Sequence, residues 1–343
     1  MLENRPVQPI IGEAPAFLEM LEHVSRAAPL SKPVLVVGER GTGKELIASR
    51  LHYLSGRWEQ TLIKVNCAAL TESILESELF GHEAGAFTGA VKTHVGHFER
   101  ADCGTLVLDE LATISLRMQE KILRVIEYGE LQRVGGSDTL SVDVRIVGST
   151  NSDLQALAAD GKFREDLLDR LAFDVVTVPP LRERLEDVLP LAYAFALNMV
   201  SELRRPLFPG FSARAASALL GHDWPGNVRE LKNAIERSVY RSADAERQIT
   251  RIAFDPFDSP FRLGEGLAGH SRAAPVARRP RPPLFPLDLK ARVNETEKDL
   301  LAAGLEKARF NQKVAAELLG LSYHQLRGKI KKHGLDRRAA PGD

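Results

Sequence analysis

From residue 10 to about residue 180, short apolar runs alternate with longer stretches whose apolar residues recur at helical spacing. Five runs read as strands: Val34–Val37, Leu62–Asn66, 105–108, 144–149 and 173–178. Each is short and apolar, as strands covered on both faces of a parallel sheet should be. Helical patterns separate them, so the expectation is an α/β domain, a parallel sheet flanked by helices with right-handed crossovers. From about 187 to 241 the period is helical throughout, which predicts a smaller α-helical subdomain after the sheet. Between about 255 and 286 arginines and prolines crowd a stretch with little apolar periodicity, among them Arg278, Arg279, Pro280, Arg281, Pro282 and Pro283. It reads as a tether spanning roughly 30 Å if coil-like, although its arginines could also touch DNA. Helical spacing resumes from 287 to 335. The expected domains are therefore 1–180, 181–254, a linker at 255–286, and 287–343.

The 343 residues carry 46 Lys and Arg against 46 Asp and Glu. That balance hides an asymmetry: residues 1–261 sum to −8 and residues 262–343 to +8. Only the second part suits a polyanion. Two cysteines, Cys67 and Cys103, cannot make a disulfide framework or a four-ligand zinc site, which points to a reducing, cytoplasmic setting. No apolar run approaches the ~18–20 residues of a membrane span, and the first residues lack the apolar core of a signal peptide.

Gly38-Glu39-Arg40-Gly41-Thr42-Gly43-Lys44 fits G-x-x-x-x-G-K directly after a predicted strand and before a helix. Glycines let backbone N–H groups wrap a phosphate, the helix points its N-terminus at it, and Lys44 reaches the terminal phosphates. Position 45 is Glu45, where Ser or Thr would ordinarily hold Mg²⁺, so the metal must lean on other ligands. The strand at 105–108 runs straight into Asp109-Glu110. In an open α/β sheet that edge is where ligands bind. Asp109 suits the Mg²⁺ shell and Glu110 suits polarising an attacking water. Asn66, Thr150 and Asn151 end two other strands; they could orient Glu110, sense the γ-phosphate, or merely cap helices. Arg164 and Arg170 flank an acidic stretch, either as surface ion pairs or as arginine fingers acting on a neighbouring subunit.

The order of these motifs resembles the AAA+ ATPases that activate sigma-54-dependent transcription. The diagnostic segment is Gly85-Ala86-Phe87-Thr88-Gly89-Ala90, accompanied by GERGTGKE at 38–45, GTLVLDE at 104–110, FREDLLDRL at 163–171, PPLRER at 179–184 and WPGNVRELKN at 224–233. Glu45 is that family's usual residue. The resemblance implies ATP and Mg²⁺ as ligands and a ring, usually a hexamer, with ATP between subunits. It implies that Lys44 and Asp109 serve phosphate and metal, that Glu110 activates water, and that Asn66 is its switch partner. Thr150 and Asn151 would be one sensor, Arg229 a second from the helical lid, and Arg164 and Arg170 would act in trans. Pro225-Gly226 reads as a tight turn and Asn227 as a cap for the helix carrying Arg229. Ile11-Gly12 resembles the adenine-side segment.

The Gly85–Ala90 loop has glycines at both ends and Phe87 at its tip, which is either an exposed contact or tucked into the core. The resemblance implies that it grips the sigma factor of the RNA polymerase holoenzyme and moves with ATP turnover. Residues 288–335 read as three helices with helix-turn-helix grammar and resemble a Fis-type module for enhancer DNA. The alternative is a small basic bundle for protein contacts. On its third helix Tyr323, Arg327 and Lys331 form one stripe; His324, Gln325 and Arg327 are the expected base readers, and Lys329, Lys331 and Lys332 the phosphate contacts. The ATPase pattern begins by about Ile10, leaving no room for a sensing domain ahead of it, and the resemblance implies control by a separate inhibitor protein instead. Trp58, in a polar stretch, is its candidate contact, or else half-buried against the preceding helix. The competing functions are a nucleotide-regulated DNA-binding repressor on the same scaffold and an unfoldase or clamp-loader motor.

Overall fold

Five short strands build one all-parallel sheet: β1 (Val34–Val37), β2 (Leu62–Asn66), β3 (Thr105–Asp109), β6 (Arg145–Thr150) and β7 (Asp174–Thr177), in the order β2-β3-β6-β1-β7. The computed structural model describes residues 10–258 apart from Ala243 and Ala245, and 289–333 apart from Arg309 and Phe310. Strand residues alternate between two cores, as a period of two requires. Leu106 and Leu108 face one side, with α3 (Glu72–Phe80), α5 (Leu116–Tyr128) and α7 (Glu165–Leu171). Val107, Val34 and Val36 face the other, with α1 (Pro15–Ala27) and α2 (Lys44–Tyr53). Burial on both faces is what makes the central runs β1, β3 and β6 apolar without alternation, whereas the edge strands β2 and β7 keep exposed positions. The short helices α4 (His97–Arg100) and α6 (Leu154–Ala159) fill the connections.

One element has no counterpart in the sequence reading. Strands β4 (Glu130–Gln132) and β5 (Thr139–Ser141) pair antiparallel as a separate hairpin. Each has three residues and a single partly or fully buried position, so no apolar run announces them.

The helical subdomain holds α8 (Val188–Glu202), α9 (Ala213–Leu220) and α10 (Asn227–Arg241) around Leu191, Ala196, Leu219, Trp224, Leu231 and Ile235. Ser212 caps α9, accepting from the Ala215 N–H at 3.3 Å. Two 3-10 turns, Leu181–Glu183 and Leu185–Asp187, lead from β7 into α8.

The chain divides into two compact units at Arg262/Leu263. From residue 259 onward the expected linker lies outside the described residues. The second unit contains α11 (Leu289–Lys307), α12 (Gln312–Leu318) and α13 (Tyr323–His333). Its core is Leu301, Leu305, Ala315, Ala316, Leu326 and Ile330. Asn311 caps α12 by accepting from Lys313 N–H at 3.1 Å, and Gly320 turns the corner at φ +65°. Leu300, Val314 and Leu318, apolar positions on α11 and α12, are exposed.

Both cysteines are free: Cys67 is buried and Cys103 exposed. Among the described residues no helix is long and apolar enough to cross a membrane.

Candidate functional site

The sheet order brings the carboxyl ends of β1, β6, β3 and β2 into one row. Val37 is level with Thr150 and Asn66 with Asp109. The loop after β1 is fastened to this edge, because Gly38 N–H donates to Thr150 O at 3.3 Å. Gly41 and Gly43 take φ +81° and +100°, left-handed values that other residues adopt only at a cost. Lys44 opens α2, folds back, and donates from Nζ to Gly38 O (3.0 Å) and Glu39 O (3.2 Å). Burial lowers its pKa, partly offset by the carboxylates of Glu110 and Asp109 and reinforced by the Arg229 cation. Lysine, two acids and arginine are therefore electrostatic neighbours.

These groups line a cavity of about 860 Å³ between the sheet edge and the helical subdomain, together with Ile11, Arg40, Thr42 and Glu45. Its apolar lining comes from Ile10, Ile11, Phe17, Leu191, Phe195 and Val228. Gly12 does not line it. A Cβ there would fall 2.3 Å from the Phe17 ring, so Gly12 lets α1 pack down. Glu45 turns toward Lys64, 3.1 Å away.

Asp109 is held by two groups that local sequence did not single out. The Ser149 hydroxyl donates to its Oδ1, and Cys67 N–H donates to its backbone carbonyl at 2.9 Å. Burial and the two neighbouring carboxylates push the Cys67 thiol up to about 12. Glu110 stands at φ +54°, an uncommon conformation for a non-glycine residue. Asn66 spends its Oδ1 on Ala68 N–H at 2.9 Å, and Thr150 its Oγ1 on Ser152 N–H at 3.0 Å. Asn151 accepts from the Ser152 hydroxyl at 3.3 Å. None of these contacts reaches Glu110.

Arg164 pairs with Asp166 at 2.7 Å and Arg170 with Glu127 at 2.9 Å. Neither lines the cavity around Lys44. Asn227 is not a cap: Gly226 holds that position, and the buried Asn227 amide reaches the phosphate loop. Arg182 and Arg184 also contact that loop. Spacing alone could not reveal partners about 140 to 190 residues away, though the charges set into the apolar run PPLRERLEDVLPL were a signal.

The Gly85–Ala90 loop projects from the turn after α3. Gly85 and Gly89 have φ +86° and +104°, and a Cβ at either would meet nothing within 4 Å. Gly85 N–H donates to Ala90 O at 2.7 Å, closing the neck. Phe87 is 48% exposed, its ring edge-on to His82 with centroids 5.0 Å apart; it is not tucked into the core. Thr88 is exposed beside it. Gly135 of the β4–β5 hairpin lies against Ala86, and Arg133 bridges Glu83 and Glu99. Trp58, after α2, is 57% exposed.

On α13, Tyr323, His324, Arg327 and Lys331 are exposed. Gln325 closes a capping box: its Oε1 accepts from Ser322 N–H at 2.9 Å and its own N–H donates to Ser322 Oγ at 3.3 Å. Lys329, Lys332 and His333 all converge on the Glu297 carboxylate of α11. Two of the three lysines expected at phosphates are therefore tied to an internal anion.

Comparison with known families matches the sigma-54 interaction domain at residues 10–177, the AAA+ ATPase lid domain at 182–256 and the bacterial regulatory protein, Fis family, at 292–333. The chain is 58% identical to the Psp operon transcriptional activator of Escherichia coli (strain K12), over 94% of this chain and 97% of that protein. It is 43% identical to the Nif-specific regulatory protein of Azotobacter vinelandii, over 96% of this chain and 59% of that one. The crystal structure of NtrX from Brucella abortus in complex with ATP superposes with a TM-score of 0.66 at 32% identity, covering 95% of this chain and 70% of NtrX. The repressor alternative finds no support among these relatives. Matched along nearly its whole length, the chain belongs to the sigma-54-dependent transcriptional activators, DNA-binding ATPases of the AAA+ class.

Proposed function

We propose that the chain hydrolyses ATP in the cavity around Lys44, binds enhancer DNA through α13, and remodels the closed sigma-54 polymerase–promoter complex into the open one. The observation that carries this reading is the convergence of Lys44, Asp109, Glu110 and Arg229 on one cavity that Ile11, Phe17 and Val228 also line. Its regulon is that of its 58% identical relative, the Psp (phage shock, envelope stress) operon. We assign 1–180 to the ATPase core, 181–254 to the lid, 255–286 to the linker and 287–343 to the DNA-binding domain.

The residues suit ATP and Mg²⁺. Among the described residues no group accepts from the N–H of Gly43, Lys44 or Glu45, and these donors sit where a helix N-terminus favours anions. Gly43 has open space where its Cβ would be. Among the described residues no cluster of three or more His, Cys, Asp or Glu could cage a metal. That fits Mg²⁺, which is commonly bound through one or two carboxylates and the phosphates themselves; Asp109 is the assigned carboxylate. Bound Mg²⁺ supplies charge neutralisation at the terminal phosphates.

Lys44 leaves its loop carbonyls to reach those phosphates. Glu110 accepts the proton of the attacking water, and Asn66 becomes its switch partner once the Asn66–Ala68 turn opens. Thr150 and Asn151 sense the γ-phosphate from β6, and Arg229 does so from the lid. Ile11 borders the base, and Gly12 contributes by letting α1 pack down beside it. Arg164 and Arg170 exchange their intrachain carboxylates for the nucleotide of a neighbouring subunit in a hexameric ring. Phe87 and Thr88 contact the sigma factor, and Trp58 offers its exposed ring to a separate PspA-like inhibitor. Arg327 and His324 read bases, Lys331 contacts phosphate, and Gln325, Lys329 and Lys332 contribute once released from their internal partners; Tyr323 flanks them. The setting is cytoplasmic.

Promoter opening is the test. With ATP, the protein should convert closed promoters held by sigma-54 polymerase into permanganate-reactive open ones. Normal ATP hydrolysis without opening would overturn the remodelling reading. Trp58→Ala should escape the inhibitor while hydrolysing ATP; unchanged inhibition would remove Trp58 from that surface.

A further inference from the structure

Four consecutive residues of the phosphate loop are held from outside the sheet. The Glu39 carboxylate accepts two hydrogen bonds from Arg182, at 2.6 and 2.8 Å, and one from Asn227 Nδ2 at 3.1 Å. Asn227 Nδ2 also donates to Arg40 O at 3.1 Å. Gly41 O accepts from Arg229 N–H at 3.3 Å, and Thr42 O from Arg184 at 3.0 Å. Asn227 is fully buried. It takes φ +53°, a value whose cost the surrounding contacts must offset. Its Oδ1 accepts from Leu181 N–H at 2.8 Å. One amide thus joins the segment after β7, the start of α10 and the phosphate loop. Gly41 seals the same contact, since a Cβ there would lie 2.3 Å from Gly226 O.

We propose that Asn227, with Glu39 and Arg182, is a positioning device that sets the shape of the phosphate loop from the lid, so that nucleotide affinity depends on this tether. It rests on the cavity being the ATP site. The two ends of the amide do different work. Oδ1 supports the fold at Leu181, whereas Nδ2 carries the tether to Glu39 and Arg40. Asn227→Asp separates them: it keeps an acceptor for Leu181 and replaces both donors with a carboxylate facing Glu39. Adding Glu39→Gln restores a donor with reversed polarity.

The experiment is ADP binding by calorimetry on the full chain, alongside thermal unfolding without nucleotide and the split of ATP turnover into KM and kcat. Asn227→Asp should weaken ADP binding about tenfold or more and raise KM for ATP. The double variant should recover at least about threefold, because a paired donor and acceptor replace two facing carboxylates. Wild-type ADP affinity in Asn227→Asp overturns the proposal. So does a loss of binding that tracks a lowered unfolding temperature and is not rescued by Glu39→Gln. Lys44→Ala is the control: if it also binds ADP normally, the cavity reading fails with the tether, whereas its failure beside a normal Asn227→Asp overturns the tether alone.

Discussion

Two glycine-rich loops serve this molecule in opposite ways. In the phosphate loop Gly41 is required twice, by φ +81° and by a backbone oxygen 2.3 Å from where its Cβ would be. In the Gly85–Ala90 loop Gly85 and Gly89 are required only by their positive φ, and nothing lies within 4 Å. The first loop is clamped between sheet and lid. The second stands clear on a neck, with Phe87 half exposed. Glycine therefore marks a fixed loop in one place and a free one in the other, and only the surroundings tell which. Gly43 belongs with the free pair on this measure, being the face that the phosphate loop presents to the cavity.

The sharpest break between the two loops should come from chemistry. Glu110→Gln is expected to lower ATP turnover by about 10²–10⁴-fold while leaving ADP binding near wild type; steady-state hydrolysis and calorimetry check both. Retained hydrolysis would move the base elsewhere. Next, Gly41→Ala should destabilise by about 3 kcal/mol or more, from overpacking and left-handed strain together. Gly89→Ala should cost only about 1–2 kcal/mol, from strain alone. Equal shifts in urea unfolding would show that the two glycines are equally constrained. Phe87→Ala should cut promoter opening by about tenfold or more, the scale of losing an exposed aromatic anchor, with ATP turnover close to wild type. A parallel fall in hydrolysis would mean that the free loop is tied to the cavity after all.

The same contrast recurs, with smaller effects, at the DNA-binding end, where Lys331 is exposed with no partner among the described residues and Lys329 and Lys332 are held by Glu297. Glu297→Gln should release the held lysines, tighten binding to any DNA and steepen its salt dependence by about one to two in slope. Fluorescence anisotropy across a KCl series measures this, and an unchanged slope would show that DNA already displaces Glu297. Smallest is an acid effect. Arg182 and Asn227 hold the Glu39 carboxyl at about 2 against an ordinary 4.5. Its contribution to stability is complete above the ordinary value and is lost as pH falls through about 2. The stability gap between wild type and Glu39→Gln should therefore narrow over that range.

How much of this was legible beforehand depends on whether the signal was local. The five parallel strands were: burial on both faces leaves the central ones an unbroken apolar run such as Val34–Val37, and the edge strands β2 and β7 still carry short apolar runs. The β4–β5 hairpin was not, because three-residue strands with a single inward position leave no run. Lys44, Asp109 and Glu110 announce themselves through glycines and strand ends. Ser149 and Asn227 do not, since each acts on a partner at least 40 residues away. Gln325, Lys329 and Lys332 were legible as polar residues on a recognition helix, but their engagement by Ser322 and Glu297 was not. Charge along one helix says nothing of the helix facing it.

The two cysteines, finally, hand the experimenter a natural reporter. Thiolate is the form that reacts with maleimides, and the buried Cys67 thiol is pushed up to about 12, beyond the reach of such reagents near neutral pH. Cys103 is exposed on the turn just before β3. A fluorophore offered to the unmodified chain would settle there alone, six residues upstream of Asp109, and could follow rearrangements of that strand without any engineered residue.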